Sequence, residues 1–338
     1  MVTSRDVARL AGVSQATVSR AMTANSEVSP ATRARVMAAM EQLRYVPHAG
    51  AKAMKTRRTR TIGVVVADLA NPFYPEVLDE LTRSLDAAGF RVVVWNSGKT
   101  GNKDAIKAIG EAAVDGVVFA TATGDSSELR AASDVRRPIV LINRIVEGVE
   151  CDRVSSDNAD GGASVADFFL ENGRTDVAFI SGDEQAATSR DRQKGFLQRM
   201  AHLGYPVPEH LRVAGGFSHD RTEQATRRLL SRSPHPRAIF CANDFMALGA
   251  LDARQEMGVP AHQCWIVGYD DIAMASWPSF SLTTVRQPSR EMASVGARLL
   301  LERIEDPSLP PRDVRFASAL VVRGSTPLTP ATPGGETG

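Results

Sequence analysis

From Thr61 onwards, short apolar runs rich in valine and isoleucine alternate with longer amphipathic segments. The runs are TIGVVVAD, RVVVWNS, GVVFAT, PIVLINR, DVAFISG, AIFCAND and WIVGYDD. Segments between them, such as FYPEVLDELTRSLDAAG and DRQKGFLQRMAHLG, have the apolar spacing of helices. Apolar runs of this kind are typical of strands buried on both faces. The alternation therefore predicts parallel sheets with helices on both sides.

Polar and aromatic side chains follow these runs, where parallel sheets bind their ligands. They are Asp68, Asn71, Phe73, Tyr74, Asn143, Arg144, Arg192, Phe217, Asn243, Asp244, Asp270 and Asp271. Carboxylates, amides and arginine bind hydroxyl groups, and aromatic rings cover apolar sugar faces. The pattern favours a small polar ligand such as a sugar or nucleoside. The alternative is that the Asp and Asn residues only cap helices or form turns.

Charge is divided unevenly along the 338 residues, although the net charge is only +1. Residues 1–60 contain eleven Lys/Arg and three acidic residues, a net charge of +8. The remainder contains 29 basic and 36 acidic residues, a net charge of −7. A basic head on a mildly acidic body favours a polyanionic partner for the head, whereas the plainer alternative is a solvated basic face.

The basic head has the pattern of three short helices. Thr3 is a candidate N-cap for the first, which carries Val7, Ala8, Leu10 and Ala11. Ser14 is a candidate cap for the second, with Val18, Ala21 and Met22 as apolar positions. Ser29 and Pro30 begin the third, whose predicted buried stripe is Val36, Met40 and Leu43.

Two helices joined by a Gly-containing turn predict a helix-turn-helix, whose second helix enters the major groove. Its outer face is small and polar, with Gln15, Ala16, Thr17 and Arg20. Gln can pair with adenine, Arg with guanine, and Ala can contact a thymine methyl group. Ser14, Thr17 and Ser19 are short enough to approach and bond phosphates. The alternative is a small helical subdomain with an ordinary wet face.

The stretches DVARLAGVSQATVSRAM, VSPATRARVMAAMEQLRYVP and TIGVVVADLANPFY closely resemble the lactose-repressor/galactose-repressor (LacI/GalR) family of bacterial transcription factors. The resemblance implies an N-terminal all-α helix-turn-helix DNA-binding domain plus an α/β periplasmic-binding-protein-like core of two parallel-sheet lobes. The DNA-binding residues it implies are Thr3, Ser4, Ser14, Gln15, Ala16, Thr17, Ser19, Arg20, Asn25, Ala51, Lys52, Met54 and Lys55.

The segment HAGAKAMKTRRTRT after Pro47 is too short and too polar for a stable isolated helix, and by itself fits a flexible linker. The resemblance implies a hinge helix that folds on DNA, where the paired hinges wedge Met54 into the central minor groove. Ala51 would lie at the helix contact, with Lys52 and Lys55 beside the groove. Gly50 weakens helix propensity by about 1 kcal/mol relative to Ala, which predicts a hinge more dependent on DNA than usual.

The resemblance also implies that the effector lies in the cleft between the lobes. Its implied contacts are Asp68, Phe73, Tyr74, Asn143, Arg192, Phe217, Asn243 and Asp270. Asn143 departs from the family, where many members have Asp, so that contact is neutral. The expected segments are a head (1–46), a hinge (47–60), a core (61–327) and a disordered tail (328–338). Lobe 1 takes about 61–158 and 289–317, and lobe 2 about 159–288 and 318–327.

Other functions fit the sequence less well. The GKT at 98–100 lacks the earlier glycine of a phosphate loop, since position 93 is Val, and no GxSxG elbow or GxGxxG turn occurs. The six histidines are scattered without metal-ligand spacing, so we expect no enzyme, metal or cofactor. A transport sugar-binding protein needs export and no basic head. A non-specific architectural DNA protein needs no effector cleft.

The remaining expectations concern compartment and assembly. Neither a secretory signal nor an apolar run of membrane-spanning length is present, and Cys151, Cys241 and Cys264 form no CxxC pair. We therefore expect reduced thiols in a bacterial cytoplasmic protein that joins the nucleoid when bound to DNA. The tail lacks a leucine heptad, which favours a homodimer on a palindromic operator over a tetramer. The sequence predicts a transcriptional repressor of carbohydrate uptake or catabolism genes, controlled by a sugar or related metabolite that either releases DNA or strengthens binding.

Overall fold

The structure is a computed structural model that describes residues 2–22, 27–46, 58–97, 103–111, 113–120, 137–146 and 148–328. The chain divides into two compact units, Met1–Thr59 and Arg60–Gly338, here called the head and the body. Five residues predicted to bind DNA, Asn25, Ala51, Lys52, Met54 and Lys55, lie outside the described residues, as do residues 329–338 of the predicted tail. The hinge helix and the disordered tail therefore stay predictions.

The head contains the three predicted helices. They are α1 (Ser4–Ala11), α2 (Gln15–Ala21) and α3 (Pro30–Gln42). Gly12 ends α1 with a φ of 62°, a left-handed conformation that glycine adopts without strain. The Ser29 hydroxyl accepts a hydrogen bond from the Thr32 backbone N–H at 3.3 Å, so the predicted cap of α3 is confirmed.

The core of the head is smaller than the sequence pattern predicted. Its fully buried centre is Val7, Val18 and Val36, one valine from each helix, surrounded by small alanines. Leu10 is 46% exposed and Met22 is 36% exposed, so these two apolar positions lie outside that core. Three short helices bury only a narrow strip of each surface, and residues at its margin stay in water.

The body contains two six-stranded sheets, here called sheet 1 and sheet 2. The strands are β1 (Thr61–Val66), β2 (Arg91–Asn96), β3 (Gly116–Phe119), β4 (Ile139–Ile142), β5 (Asp152–Ser156), β6 (Val177–Ser181), β7 (Arg212–Ala214), β8 (Ala238–Cys241), β9 (Trp265–Asp270), β10 (Thr283–Arg286), β11 (Asp313–Phe316) and β12 (Ala319–Val321).

Sheet 1 has the strand order β11-β5-β4-β3-β1-β2, and all its pairs are parallel. Sheet 2 has the order β12-β10-β9-β8-β6-β7, and β12 is antiparallel to β10. The seven apolar runs are confirmed as strands β1 to β4, β6, β8 and β9. Strand β5 lay outside those runs because its sequence DRVSS is mostly polar, and β11 and β12 are short and partly exposed.

Helices connect the strands and cover the sheets. They are α4 (Phe73–Ala87), α5 (Lys103–Gly110), α6 (Asn158–Glu171), α7 (Ala187–His202), α8 (His219–Leu230), α9 (Asp244–Glu256) and α10 (Ser289–Glu305), with 3-10 turns at Glu209–Leu211 and Ala273–Ser276. Helix α10 returns to sheet 1, where it packs on α4 and on strands β3 to β5.

The chain passes between the two sheets three times, after β5, after β10 and after β11. The residue-level lobe boundaries given above stay a prediction. These passages bring the carboxyl ends of parallel strands from both sheets to face a shared space, which is where the α/β architecture places a ligand.

Candidate functional site

The outer face of α2 is polar and accessible in the folded head. Val18 is fully buried and Ala21 nearly so, which turns Gln15, Ala16 and Arg20 outwards into solvent. Thr17 and Ser19 are partly buried at the margin of this face. The exposed side chains offer an amide, a methyl group and a guanidinium, the groups that distinguish base pairs in a major groove.

Hydrogen bonds fix the start of α2. The Ser14 hydroxyl accepts from the Thr17 backbone N–H at 3.1 Å and lies 2.9 Å from the Thr17 hydroxyl. The Gln15 side chain is also held, because its Nε2 donates to the Ser4 hydroxyl at 2.7 Å. Ser4 is the first residue of α1, so this bond joins the beginnings of the two helices.

The start of α1 is fixed in the same way. Asp6 accepts from the Thr3 backbone N–H at 2.9 Å and from the Thr3 hydroxyl at 2.7 Å. These hydrogen bonds hold the pKa of the Asp6 carboxyl below its usual range. Thr3 is therefore the N-cap of α1, as predicted, and it is exposed, while its contact to DNA stays a prediction.

A cavity of about 190 Å³ lies between the carboxyl ends of the strands of the two sheets. All eight residues predicted to bind an effector line it, and they come from loops, helices and the end of one strand, distributed over residues 68–270. These residues are Asp68, Phe73, Tyr74, Asn143, Arg192, Phe217, Asn243 and Asp270. The structure thus brings them together around one space, while their role as ligand contacts stays a prediction.

Arg192 is the most constrained side chain of the cavity, with only 3% of its side chain exposed. Its Nη2 lies 3.1 Å from Asp270 Oδ1, and its Nη1 donates to the Ala242 carbonyl oxygen at 2.6 Å. The guanidinium also lies 3.7 Å from the centre of the Tyr269 ring. A planar fork held on several sides is suited to directional hydrogen bonding, because little rotamer freedom is left to lose when a ligand binds.

Asp270 ends β9 and faces Arg192. Burial raises the pKa of its carboxyl to about 6, although Arg192 and Gln287 both favour the charged form. Both close partners contact Oδ1, since Gln287 Nε2 donates to that atom at 2.7 Å. Neither of these two contacts involves the second oxygen, Oδ2, and Asp270 lines the cavity.

A closed circuit of hydrogen bonds connects this pair to the passages between the sheets. Gln287 follows β10 and accepts from the Ser156 hydroxyl at 2.9 Å. Asn158 donates to the Ser156 carbonyl oxygen at 3.1 Å and accepts from Arg192 Nε at 2.8 Å. The circuit therefore joins Asp270 and Arg192 to two of the three passages between the sheets.

Three of the eight predicted effector-binding residues have left-handed or otherwise positive φ angles. They are Asn143 at 53°, Phe217 at 59° and Asp270 at 123°. Each such residue costs about 1–3 kcal/mol, and these conformations concentrate at binding sites. Asn143 has a second unfavourable feature, since its Oδ1 is buried and has no hydrogen-bond partner among the residues that the structure describes. A donor on a bound ligand would satisfy that atom.

Aromatic rings provide apolar surface beside these polar groups. Phe73 and Tyr74 begin α4, with their rings edge to face at 5.6 Å and 75°. Phe217 is partly buried and packs directly over Gly182, where an added Cβ would lie 2.3 Å from the Phe217 ring. The absence of a side chain at Gly182 therefore decides where the Phe217 ring can lie.

Two predicted residues also have clear structural roles. Asp68 is exposed and its carboxylate accepts from the Ala70 backbone N–H at 2.9 Å, which forms a local turn. Asn243 Oδ1 caps α9 by accepting from the Met246 backbone N–H at 3.0 Å. The turn and capping alternative thus describes these two side chains.

The cavity also includes residues outside the predicted effector set. Asn71 and Arg144 were noted at strand ends, but Asp183 and Thr188 were missed. Both follow β6, so the same strand-end pattern in ISGDEQAATSR could have found them. Burial lowers the pKa of Arg144, while the neighbouring Tyr74 and Asp183 oppose that shift.

Outside this cavity, the described residues include one group of possible metal ligands. His219, Asp220 and Glu223 place possible metal-binding atoms within 4.8 Å, but His219 already contacts Asp252 at 2.9 Å. The three cysteines are buried and unpaired. In the described ranges, no helix combines the length and apolarity needed to cross a membrane.

Comparison with known proteins agrees with both units. Residues 3–48 match the model for bacterial regulatory proteins of the lacI family, and residues 166–326 match the periplasmic binding protein-like domain. The chain is 33% identical over 331 residues to the HTH-type transcriptional repressor PurR of Vibrio parahaemolyticus serotype O3:K6, covering 96% of this chain and 98% of the relative. It is 32% identical over 331 residues to the ribose operon repressor of Escherichia coli K12, covering 96% and 100%.

Solved structures of transcription regulators are also similar to this chain. The lac repressor dimer bound to operator and the anti-inducer ONPF aligns with a TM-score of 0.84 at 26% identity, covering 96% of this chain and 99% of that one. The complex of the transcriptional regulator CelR with cellobiose aligns with a TM-score of 0.74 at 30% identity, covering 96% and 100%.

A helix-turn-helix head with a two-sheet, periplasmic-binding-protein-like body defines a DNA-binding transcription regulator that responds to an effector. The predicted fold class is therefore confirmed. More narrowly, this chain belongs to the LacI family of bacterial regulatory proteins.

Proposed function

We propose that the protein is a cytoplasmic repressor of genes for carbohydrate uptake or catabolism, and that it is not an enzyme. Two relatives support this assignment by name, the ribose operon repressor and the regulator CelR in complex with cellobiose. The observation that carries the proposal is the meeting of eight predicted side chains around one cavity between the sheets.

The effector in this proposal is a small polar molecule, either a sugar or a related metabolite such as a nucleoside. Asp270 accepts a ligand hydroxyl through its second carboxylate oxygen, and Arg192 donates to the same or a neighbouring hydroxyl. Asn143 makes a neutral contact, while Phe73, Tyr74 and Phe217 cover the apolar face. This combination of directed polar groups and aromatic rings is suited to a hydroxylated ring.

DNA recognition in this proposal belongs to a homodimer that binds a palindromic operator, one head on each half-site. Gln15, Ala16 and Arg20 read base edges, while Thr3, Ser4, Ser14, Thr17, Ser19 and Asn25 hold the head on phosphates or at the groove edge. The lac repressor dimer bound to operator supports this arrangement. The high positive charge of residues 1–60 supports strong, salt-dependent binding.

Communication between cavity and DNA passes through the lobes and the hinge. Effector binding changes the relation of the lobes, and this change biases whether the paired hinges fold on DNA. Met54 acts as the minor-groove wedge, with Ala51 at the helix contact and Lys52 and Lys55 near the groove. The effector either releases the operator or strengthens binding to it, and the experiment below distinguishes these directions.

The test starts with selection of a preferred duplex from a random library by the purified full chain. Binding to that duplex is then measured by fluorescence anisotropy with ribose, cellobiose, other sugars and purine nucleosides added one at a time. The proposal predicts a symmetric site and at least one compound that changes operator affinity about five- to hundredfold. Absence of any selected sequence would overturn the DNA assignment, and a non-polar effector would overturn the proposed ligand class.

A further inference from the structure

We propose that Ser4 determines base specificity indirectly, by holding the Gln15 amide in the orientation that reads adenine. The proposal deepens the proposed function, since it rests on α2 being the DNA-reading helix. Ser4 would therefore be a positioning residue, distinct from a side chain that only contacts phosphate. The observation that carries it is the 2.7 Å hydrogen bond from Gln15 Nε2 to Ser4 Oγ.

Both ends of this hydrogen bond are fixed by their backbones. Ser4 is the first residue of α1, directly after the Thr3 backbone N–H that donates to Asp6. Gln15 is the first residue of α2, directly after Ser14, whose hydroxyl accepts from Thr17 N. Two short helices packed on a shared valine core therefore hold the Ser4 hydroxyl and the Gln15 backbone in one relative position.

The Ser4 hydroxyl restrains a side chain that is otherwise in solvent. Gln15 is exposed, so without a partner its amide could rotate freely among several rotamers. A flexible glutamine loses that freedom when it docks on a base, whereas a glutamine already held in place loses less. Restraint before binding therefore favours the base that the held orientation fits.

The chemistry of the amide defines which base that is. We infer that the Nε2 hydrogen directed to Ser4 is the one trans to Oε1, which leaves the second hydrogen and the carbonyl Oε1 side by side. Adenine presents an acceptor, N7, beside a donor, the N6 amino group, and a glutamine amide can satisfy both. Guanine presents two acceptors on that edge, so the amide oxygen would face an acceptor. The bond to Ser4 thus favours adenine and disfavours guanine at one position of each half-site.

The hydroxyl of Ser4 remains able to act as a donor. It accepts from Gln15 through a lone pair, so its own hydrogen is available for a phosphate oxygen. A direct phosphate contact alone would affect all sequences equally, because phosphates carry no base identity. Positioning of Gln15 therefore changes base preference, whereas a phosphate contact changes affinity for all sequences equally.

The test is a double-mutant cycle read as base preference. The full-length chain and its Ser4→Ala, Gln15→Ala and doubly substituted forms are each used to select from a randomised duplex library at one salt concentration. Gln15→Ala should remove the adenine preference at one position. Ser4→Ala should lower the preference at that same position about three- to tenfold, the range expected for a neutral hydrogen bond. In the Gln15→Ala form, Ser4→Ala should change no base preference.

Ser4→Thr is the matched control, because it retains a hydroxyl and should restore the preference. Circular dichroism of each form checks that the helices are intact, which we expect because the buried valines are untouched. Equal selection by wild type and Ser4→Ala would overturn the inference while leaving the proposed function in place. An effect of Ser4→Ala that persists without Gln15 would also overturn it. Failure of the wild-type chain to select any sequence would overturn the proposed function as well.

Discussion

Replacing Asp270 with Asn tests whether the buried ion pair is the centre of the effector site. Asn has the same shape and retains an oxygen that can accept from Gln287 and Arg192. The negative charge is lost, and the second carboxylate oxygen becomes an amide NH2 group, which donates a hydrogen bond and does not accept one. Arg192, with 3% of its side chain exposed, then has no charged partner on Asp270, which itself has 5% of its side chain exposed.

This geometry sets the expected loss of stability and the expected loss of effector affinity. An uncompensated buried charge costs about 3–5 kcal/mol, and we expect the lower end because the asparagine oxygen still accepts hydrogen bonds. A hydrogen bond to a charged group contributes about 1.5–3 kcal/mol, so loss of the charge should weaken effector binding about ten- to hundredfold. Operator affinity without effector should change little, because the heads are not altered.

Asp271→Asn provides the matched control. Asp271 is the next residue, is similarly buried and pairs with Arg286 and Arg323, both at 2.6 Å, but it does not line the cavity. Its partners Arg286 and Arg323 are more exposed, at 56% and 16%, so water can solvate their unpaired guanidinium groups. The loss of stability should therefore be about 1 kcal/mol.

The assay is urea unfolding followed by tryptophan fluorescence, together with effector and operator titrations. The three tryptophans, Trp95, Trp265 and Trp277, all belong to the body, so their fluorescence reports its unfolding and not that of the head. The account requires Asp270→Asn to lose the effector response and Asp271→Asn to keep it. A normal response in Asp270→Asn, or equal loss in both variants, would refute the assignment of Asp270.

Three other substitutions test separate parts of the account. Arg20→Ala should weaken binding to the preferred operator by about 1–3 kcal/mol and relax the base preference at one position, and an unchanged selected sequence would exclude Arg20 from base reading. Gly182→Ala should displace the Phe217 ring and weaken effector binding without changing effector-free operator affinity, as ligand titration of the variant would show. Burial raises the pKa of Asp244 to about 8, so the folded state binds a proton that the unfolded state has lost, and stability should fall as pH rises towards 8. Between pH 6 and pH 8, the free energy of unfolding measured in urea should fall by about 2 kcal/mol more for the wild type than for Asp244→Asn. An identical pH dependence in both proteins would contradict the raised pKa.

The general fold could be predicted because most of its strands are short apolar runs separated by helical segments. The regular alternation after Thr61 specified parallel sheets, and the caps at Ser14 and Ser29 specified helix starts. The apolar pattern could not find strand β5, because this strand contains Asp152. The Asp152 side chain is fully buried and forms ion pairs with Arg303 and Arg312. The sequence pattern cannot separate a buried charged residue with distant partners from an ordinary surface residue.

The candidate site was predictable to the extent that strand ends meet at one edge of a sheet. That rule found Asn143, Arg192 and Asp270, although they are far apart in the chain. The circuit through Ser156 and Gln287 was not predictable, because it depends on the close approach of segments 131 residues apart. The Ser4–Gln15 contact was missed for the same reason, since it depends on how two short helices cross.

The most direct test of the whole account is the affinity of the full chain for its selected duplex, measured with and without a ligand shown to occupy the cavity. Anisotropy titrations at one fixed salt concentration would give both values, with a scrambled duplex as control. The account predicts that the ligand changes affinity for the selected duplex about fivefold or more and leaves the scrambled duplex unaffected. The same affinity with and without bound ligand would contradict the claim that the cavity controls DNA binding.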